Sequence, residues 1–315
     1  MSPKRIPLLP VLLFFSLAIA APPSHAGPLV ARHDEAAGKI TIHRDGIANP
    51  ILTQNARPDF RPYLHPITAP DGKGELTQLS PEHHRHQTGL YWGFTNANGR
   101  DYFHHPEGSY WRRRAAEIVS ADGESVKWRT VYDMLGANGA PILTESQNWS
   151  LHIDHSGQAV LDLEWEGQAT GGDVKIAKAD YGGLFLRMPW REGVHAHVLN
   201  AARHRDQKAE GQRSMWLDLG MQIDGLEEEA HITIFDHPKN DGFPSAWRVD
   251  DQFGIGPSRA RQGEWTIPAG KGKTFRHRLV IHTGELNDKD ITEQWTAWSG
   301  QQYTYALWGI AQEEG

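Results

Sequence analysis

Residues 81–105, PEHHRHQTGLYWGFTNANGRDYFHH, carry His83, His84, His86, His104 and His105, five of the 18 histidines in a chain of 315 residues. Imidazole is the side chain suited to moving protons near neutral pH or to holding a transition metal. Tyr91, Trp92 and Phe94 lie beside these histidines and offer flat surfaces for a ligand. If residues 83–86 are extended, His84 and His86 share a face; if they turn, His83 and His86 approach each other. Either pair supplies two imidazoles for a divalent metal at the His83/His84/His86 cluster, with Glu82, His104, His105 or a distant residue as third ligand. The spacing is not that of HExxH. Acid/base or substrate-binding roles and simple solvated histidines are the alternatives. His104 and His105 precede a proline and read as surface loop.

Two other segments carry chemistry. Asp236-His237-Pro238 ends an expected strand and enters a long polar loop, where a sheet can hold functional groups in position. Asp236 and His237 are neighbours, so in extended backbone they point to opposite faces and do not form a dyad. Tyr181-Gly182-Gly183 leads into Leu184-Phe-Leu-Arg187, where Arg187 follows the parity of Phe185. An arginine in an apolar strand meets an anionic partner or a ligand. The chain also has 12 tryptophans. Trp92, Trp111, Trp190 and Trp247 lie near these segments, whereas Trp149, Trp165 and Trp295 fit core faces.

The elements that must position these residues are mostly strands. Lys39–His43 alternates apolar and polar residues, and Asp45-Gly46 turns it toward Pro50–Thr53. Ala115–Ser120 and Ser125–Met134 flank the turn 121–124. Asn138-Gly139 is a hairpin signal before Ile142–Ile153, and Ser156-Gly157 leads into Ala159–Glu166. Further strands are expected at Gly183–Met188, Met215–Leu219, Ala230–Phe235, Gly263–Ile267 and Thr274–Thr283. Helical periodicity is confined to the C-terminal region. There Asn287 or Asp288 caps a helix with Ile291, Trp295 and Trp298 on one face, and Gly300 ends it. The fold class is therefore all-β: a large antiparallel β-sandwich with a short C-terminal helix. Residues 27–38 read as a loose lead-in.

The N-terminus reads as a secretory signal. Lys4 and Arg5 precede an apolar run from Leu8 to Ala21, and Ser24-His25-Ala26 offers small residues for cleavage. Cleavage after Ala26 leaves 289 residues as one β-sandwich domain, 27–315, in the periplasm or outside the cell. The net charge is −7, and removal of Lys4 and Arg5 takes it to −9. That balance argues against nucleic acid as partner. The chain has no cysteine, which excludes disulfides, thiolate metal sites and a cysteine nucleophile. The mature chain has no apolar run long enough to span a membrane.

Arg61-Pro-Tyr-Leu-His-Pro66, the His-rich run into Gly89-Leu-Tyr-Trp-Gly93, Asn98-Gly-Arg-Asp101, Tyr181-Gly-Gly183 and Ile234-Phe-Asp-His-Pro238 with Trp247 together resemble a bacterial family labelled methane oxygenase PmoA. The resemblance runs from about Arg57 to Gly284. The family's His-rich run is closer to Asp-His-Pro-His-His; here Glu82 stands for the acid and Arg85 separates the histidines. A membrane monooxygenase subunit needs several transmembrane helices, so the label misleads. The resemblance implies instead a sandwich similar to the galactose mutarotase supersandwich, with a sugar site on a concave sheet. The expected function is acid/base chemistry on a sugar or oligosaccharide, by elimination, hydrolysis or epimerisation. His83, His86, Arg187, Asp236 and His237 are the expected catalytic residues. His84, Tyr91, Trp92, Asn98, Tyr181 and Trp247 are expected to line the sugar. The alternatives are a non-catalytic glycan-binding protein and a metal-dependent oxygenase. Convergence of His83, His86, Arg187 and His237 in one pocket is the geometric requirement of this reading.

Overall fold

A computed structural model describes residues 28–301; the expected signal segment lies outside them. Two large antiparallel sheets face each other. The first has nine strands, in the order Ala246–Val249, Ile255–Ser258, Gly183–Leu186, Leu90–Gly93, Tyr63–Ile67, Leu52–Asn55, Lys39–Arg44, Leu29–Asp34 and Asp122–Gly123. The second has eight, in the order Ala196–Asn200, Trp216–Met221, Ala230–Asp236, Gly272–Thr283, Ala159–Ala169, Pro141–Ile153, Ser125–Leu135 and Trp111–Ser120. A short ribbon pairs Val174–Ile176 with Trp265–Ile267. The all-β antiparallel sandwich with a C-terminal helix, expected from turn spacing and alternation, is the architecture observed.

The two sheets share one apolar core. Trp92 of the first sheet stacks on Trp165 of the second, with ring centroids 4.4 Å apart. Leu90, Leu184 and Leu186 join them from one side, and Leu161, Leu163, Leu217, Leu219, Ile232, Ile234 and Phe275 from the other. Alternate residues therefore face outward on both sheets. On the second sheet, Trp216, Phe235 and Val280 face outward and are covered by Ile291 and Trp295 of the helix Asp288–Ser299. Asn287 caps that helix by accepting from the backbone N–H groups of Lys289 and Asp290, and Gly300 ends it in the left-handed region at φ 67°.

The hairpins across 121–124, 138–139 and 156–157 form as the turn residues predict. The supposed lead-in does not hold. Leu29–Asp34 pairs residue for residue with Lys39–Arg44, because Leu29 and Ala31 supply an apolar face that Ile40 and Ile42 complete. The strands Tyr63–Ile67, Leu90–Gly93, Ala196–Asn200 and Ala246–Val249 also escaped the sequence reading. They have four or five residues each, too few to show a period. Among the described residues no helix is long and apolar enough to cross a membrane.

Candidate functional site

The outer face of the nine-stranded sheet is roofed by loops. Tyr91 and Phe185 point outward because their neighbours Leu90, Trp92, Leu184 and Leu186 point into the core. Phe103 packs on both, with centroids 5.1 Å from each ring. Over this aromatic floor pass residues 81–89 and 101–105. Buried Arg61 joins the two loops. One of its Nη groups donates to the Phe103 carbonyl at 2.6 Å, and the other to the His86 carbonyl at 2.7 Å and to Thr88 Oγ1 at 3.1 Å. Its guanidinium also lies 3.7 Å from the Tyr91 ring centroid, a cation–π contact that needs no further anion. Burial lowers the Arg61 pKa to about 10, so the clamp stays charged near neutrality. Arg187, fully buried, makes the second clamp. It donates to Gln87 Oε1, to the Gln252 carbonyl and, at 2.7 Å, to Asp250 Oδ2.

These clamps shape a small pocket lined by His84, His86, Gln87, Phe103, His104, Tyr181, Phe185, Arg248 and Asp250. Its volume is about 70 Å³, room for a few waters or one polar group. A hydrogen-bonded chain enters it. Asp101 Oδ2 is 2.7 Å from His104 Nδ1, and His104 Nε2 is 3.3 Å from the Tyr181 hydroxyl. Asp101 Oδ1 also accepts from the backbone N–H groups of Phe103 and His104, which fixes the turn that presents the imidazole. A carboxylate on Nδ1 selects the tautomer with Nε2 free to accept a proton. Burial raises the Tyr181 pKa, so its phenol is protonated at neutral pH. The His86 ring lies 4.3 Å from His104. Burial, then His104 and Arg61, push the His86 pKa down to about 3. His86 is thus a neutral hydrogen-bonding imidazole beside His104, not a proton store at neutral pH.

The expected site residues separate into four places. His84, His86 and Tyr181 line the pocket. His83 does not line it: residues 82–84 form a 3₁₀ turn, and His83 packs on Trp190 with centroids 5.5 Å apart. Tyr91 and Arg187 lie beneath as floor and clamp rather than as open ligand groups. Trp92 and Trp247 are buried in the inter-sheet core and cannot touch a ligand on the outer face. Asn98 holds a turn instead, donating to the Asp173 carbonyl and accepting from Lys175 N.

The required convergence fails at His237, and Asp236 does not face the pocket either. Asp236 is fully buried and accepts from Asn240 Nδ2 at 2.6 Å and Ser245 N at 2.7 Å; burial raises its pKa to about 6. It builds the loop that follows. His237 lies on the outer face of the other sheet, against Trp298, in a groove of about 380 Å³ with Asn148, Ser150 and Arg276. Arg187 and His237 thus belong to outer faces of different sheets. That they point to opposite sides of their strands' neighbours was legible; that these sides belong to different sheets was not.

The sequence reading missed Asp101, Arg61, Arg248 and Asp250, and set His104 aside. The local signal was Asp101-x-x-His104 after Asn98-Gly99, a spacing at which one turn brings a carboxylate to an imidazole. For a metal, the run 83–86 offers a close His83–His84 contact, Nδ1 to Nδ1 at 2.8 Å. Among the described residues, however, the groups of three or more donors in metal-binding proximity are His195/His197/Glu229 and His197/Asp218/His231.

A family model matches residues 45–296, that of a family of unknown function (DUF6807). No curated protein matches the chain. Solved structures with similar folds include galactose 1-epimerase from Lactobacillus acidophilus NCFM, at TM-score 0.37 and 10% identity, covering 83% of this chain and 100% of that one. An alpha-galactosidase from Lactobacillus brevis has TM-score 0.33 and 15% identity, covering 80% of this chain and 38% of that one. A TPR-domain containing protein from Parabacteroides distasonis ATCC 8503 has TM-score 0.31 and 10% identity, covering 80% and 47%. The chain thus spans less than half the length of the last two.

Proposed function

The chain belongs to the DUF6807 family of unknown function, and we propose that it performs acid/base chemistry on a carbohydrate at the pocket over the nine-stranded sheet. The observation that carries this reading is the Asp101–His104–Tyr181 chain, 2.7 Å and 3.3 Å link to link, ending in a half-enclosed aromatic pocket. His104 Nε2 acts as base and Tyr181 as acid on one polar end of the sugar. His84 and His86 bind hydroxyl groups as neutral imidazoles, and Arg248 faces oxygen that gains negative charge. Phe103 and Phe185 offer apolar surface to the ring. One carboxylate, Asp250, lines the pocket, and its Oδ2 is held by Arg187. Glycosidases of the two-carboxylate kind need a second, so epimerisation or elimination fits the residues better than hydrolysis. The N-terminal 26 residues support export and removal of a signal, with the sugar met in the periplasm or outside the cell.

The test is incubation with a panel of plant and algal oligosaccharides and keto-sugars in D₂O, with mass detection of products and NMR detection of carbon-bound deuterium. Epimerisation by proton abstraction returns deuterium from solvent to a ring carbon, whereas elimination breaks the C–H and C–O bonds to give an unsaturated product seen by mass. His104→Gln should abolish both signals while the melting temperature holds. Turnover by His104→Gln equal to that of the parent overturns the assignment.

A second reading is a non-catalytic glycan-binding protein. It is favoured by the larger groove on the second sheet, where Trp298 and His237 stand over Asn148 and Ser150. It predicts saturable oligosaccharide binding that Trp298→Ala weakens, with no deuterium incorporation.

A further inference from the structure

Four neighbouring strands of the second sheet place one row of residues side by side. The registers are His197 opposite Gly220, Gly220 opposite His231, and His231 opposite His282. The row faces outward, because Val198, Leu219, Ile232 and Ile281 on the alternate positions lie in the inter-sheet core. Gly220 is the gap in it. A Cβ there would sit 2.6 Å from His231 Cε1 and 2.8 Å from His197 Cε1. The missing side chain lets the two imidazoles approach across an intervening strand.

The surrounding groups are arranged around His231. This residue is 1% exposed. Its Nδ1 is 2.9 Å from Asp218 Oδ2, while Asp218 Oδ1 accepts from Thr233 Oγ1 at 2.6 Å. A carboxylate on Nδ1 leaves the Nε2 lone pair free, the arrangement by which outer-shell carboxylates orient metal-binding histidines. That Nε2 is buried and has no hydrogen-bond partner. It points toward Glu229, with Oε2 3.6 Å away. Glu229 Oε1 in turn lies 3.3 Å from His195 Nδ1 and 3.3 Å from His197 Nδ1. Ligands at about 2.0–2.1 Å from a tetrahedral ion stand roughly 3.3–3.4 Å apart, so the separations of Glu229 Oε1 from His195 and His197 are those of a ligand set, while His231 groups with His197 and Asp218 and meets Glu229 at its other carboxylate oxygen. The His282 ring stacks on His231, 4.8 Å between centroids and 4° between planes, and closes the far side.

We propose that His195, His197, His231 and Glu229 bind a divalent transition metal of the zinc class, with Asp218 as the positioning residue for His231. Three imidazoles and one carboxylate select borderline ions over magnesium or calcium, which take all-oxygen sets. His195 and His197 flank and begin the edge strand Ala196–Asn200, whereas Glu229 and His231 belong to the strand Ala230–Asp236 and its approach. The strand Trp216–Met221 lies between them. The ion therefore ties a sheet edge to the strand two places in. This site is independent of the Asp101–His104 pocket.

The experiment uses the full chain, freed of any affinity tag and stripped with chelator. Zinc is titrated calorimetrically, and cobalt is followed by its visible absorption, which distinguishes tetrahedral from octahedral ligation. One equivalent, tetrahedral cobalt bands and a melting temperature raised by zinc are expected. Asp218→Asn should weaken affinity by about 10–100-fold, and His197→Ala, which removes a ligand at the half-exposed edge, by more. Gly220→Ala should weaken binding with every donor retained. His83→Ala should leave affinity unchanged. Binding that survives His197→Ala, or that is lost in His83→Ala, overturns the assignment, as does octahedral cobalt or the lack of a stoichiometric step in the parent.

Discussion

Replacing Asp250 by Asn tests whether one buried ion pair holds the pocket together. Arg187 has a side-chain exposure of 0% and Asp250 of 12%, and Nη2 meets Oδ2 at 2.7 Å. The other Asp250 oxygen accepts from the backbone N–H groups of Gln252 at 2.9 Å and Gly254 at 2.7 Å. Asparagine keeps an acceptor for those two amides but turns an NH₂ group toward a guanidinium, donor against donor. The cost is that of burying Arg187 without its anion, about 3–5 kcal/mol for loss of one partner of a buried pair. At roughly 2–4 °C per kcal/mol for a domain of this size, the melting temperature falls on the order of 10 °C. Arg187→Met removes the charge and keeps much of the stem volume. The double variant should then lose about 1–3 kcal/mol less than the two singles together. Urea melts of all four proteins at pH 7 measure this, provided the denaturant slope is shared. Additive losses, or a D250N protein as stable as its parent, would show that the pair does not hold the floor.

Two further perturbations probe the scaffold. Glu145 is fully buried, accepts from Trp165 Nε1 at 2.7 Å and Gln147 Nε2 at 2.9 Å, and has its pKa raised by burial to about 7. Between its ordinary value and 7 the native state holds more protons than the unfolded state, so stability falls as pH rises through that window and levels off above it. Glu145→Gln should remove about 3 kcal/mol of that slope; parallel stability–pH curves for the two proteins would refute the argument. Asn287→Ala removes the two side-chain bonds that cap the C-terminal helix. It should cost about 1 kcal/mol in urea melts, and Asn287→Asp should restore most of it.

Alternation was legible in the sequence where one face is polar. Arg187 does share the face of Phe185, opposite Leu184 and Leu186. Alternation could not say which face is the core where both are apolar. Leu90-Tyr91-Trp92 reads as aromatic on either parity, yet Trp92 is the core residue and Tyr91 the pocket floor. Such strands lie under roofing loops, so both faces are covered and the polar signal is lost. Asp101 and His104 were close enough in sequence to pair by a turn, but such a turn before a proline has the same local pattern as a surface loop. The row His197–Gly220–His231–His282 was not legible at all. It depends on pairing registers across 85 positions of chain, which no local pattern contains.

The smaller cavity suits the proposed reaction better than the larger because of how each is built. The interior is closed to ligands by the Trp92–Trp165 stack, so a substrate must use an outer face. On the second sheet the long strands Pro141–Ile153 and Ala159–Ala169 leave an open groove. Its carboxylates are already matched: Asp162 by Arg278 in a two-pronged pair at 2.7 Å and 2.8 Å, and Glu164 by Arg276 at 2.8 Å. Ions paired with each other in contact with water still offer their outer edges to hydroxyl groups. On the first sheet Leu90–Gly93 and Gly183–Leu186 have four residues each, and the chain folds back over them. That return path carries His86, Asp101 and His104 onto an aromatic floor, where water is limited and electrostatic interactions are stronger. On the proposed reading, a proton taken up by His104 is balanced by the Asp101 carboxylate, while His86 stays neutral. Enclosure and an unspent imidazole, rather than volume, are what set this pocket apart.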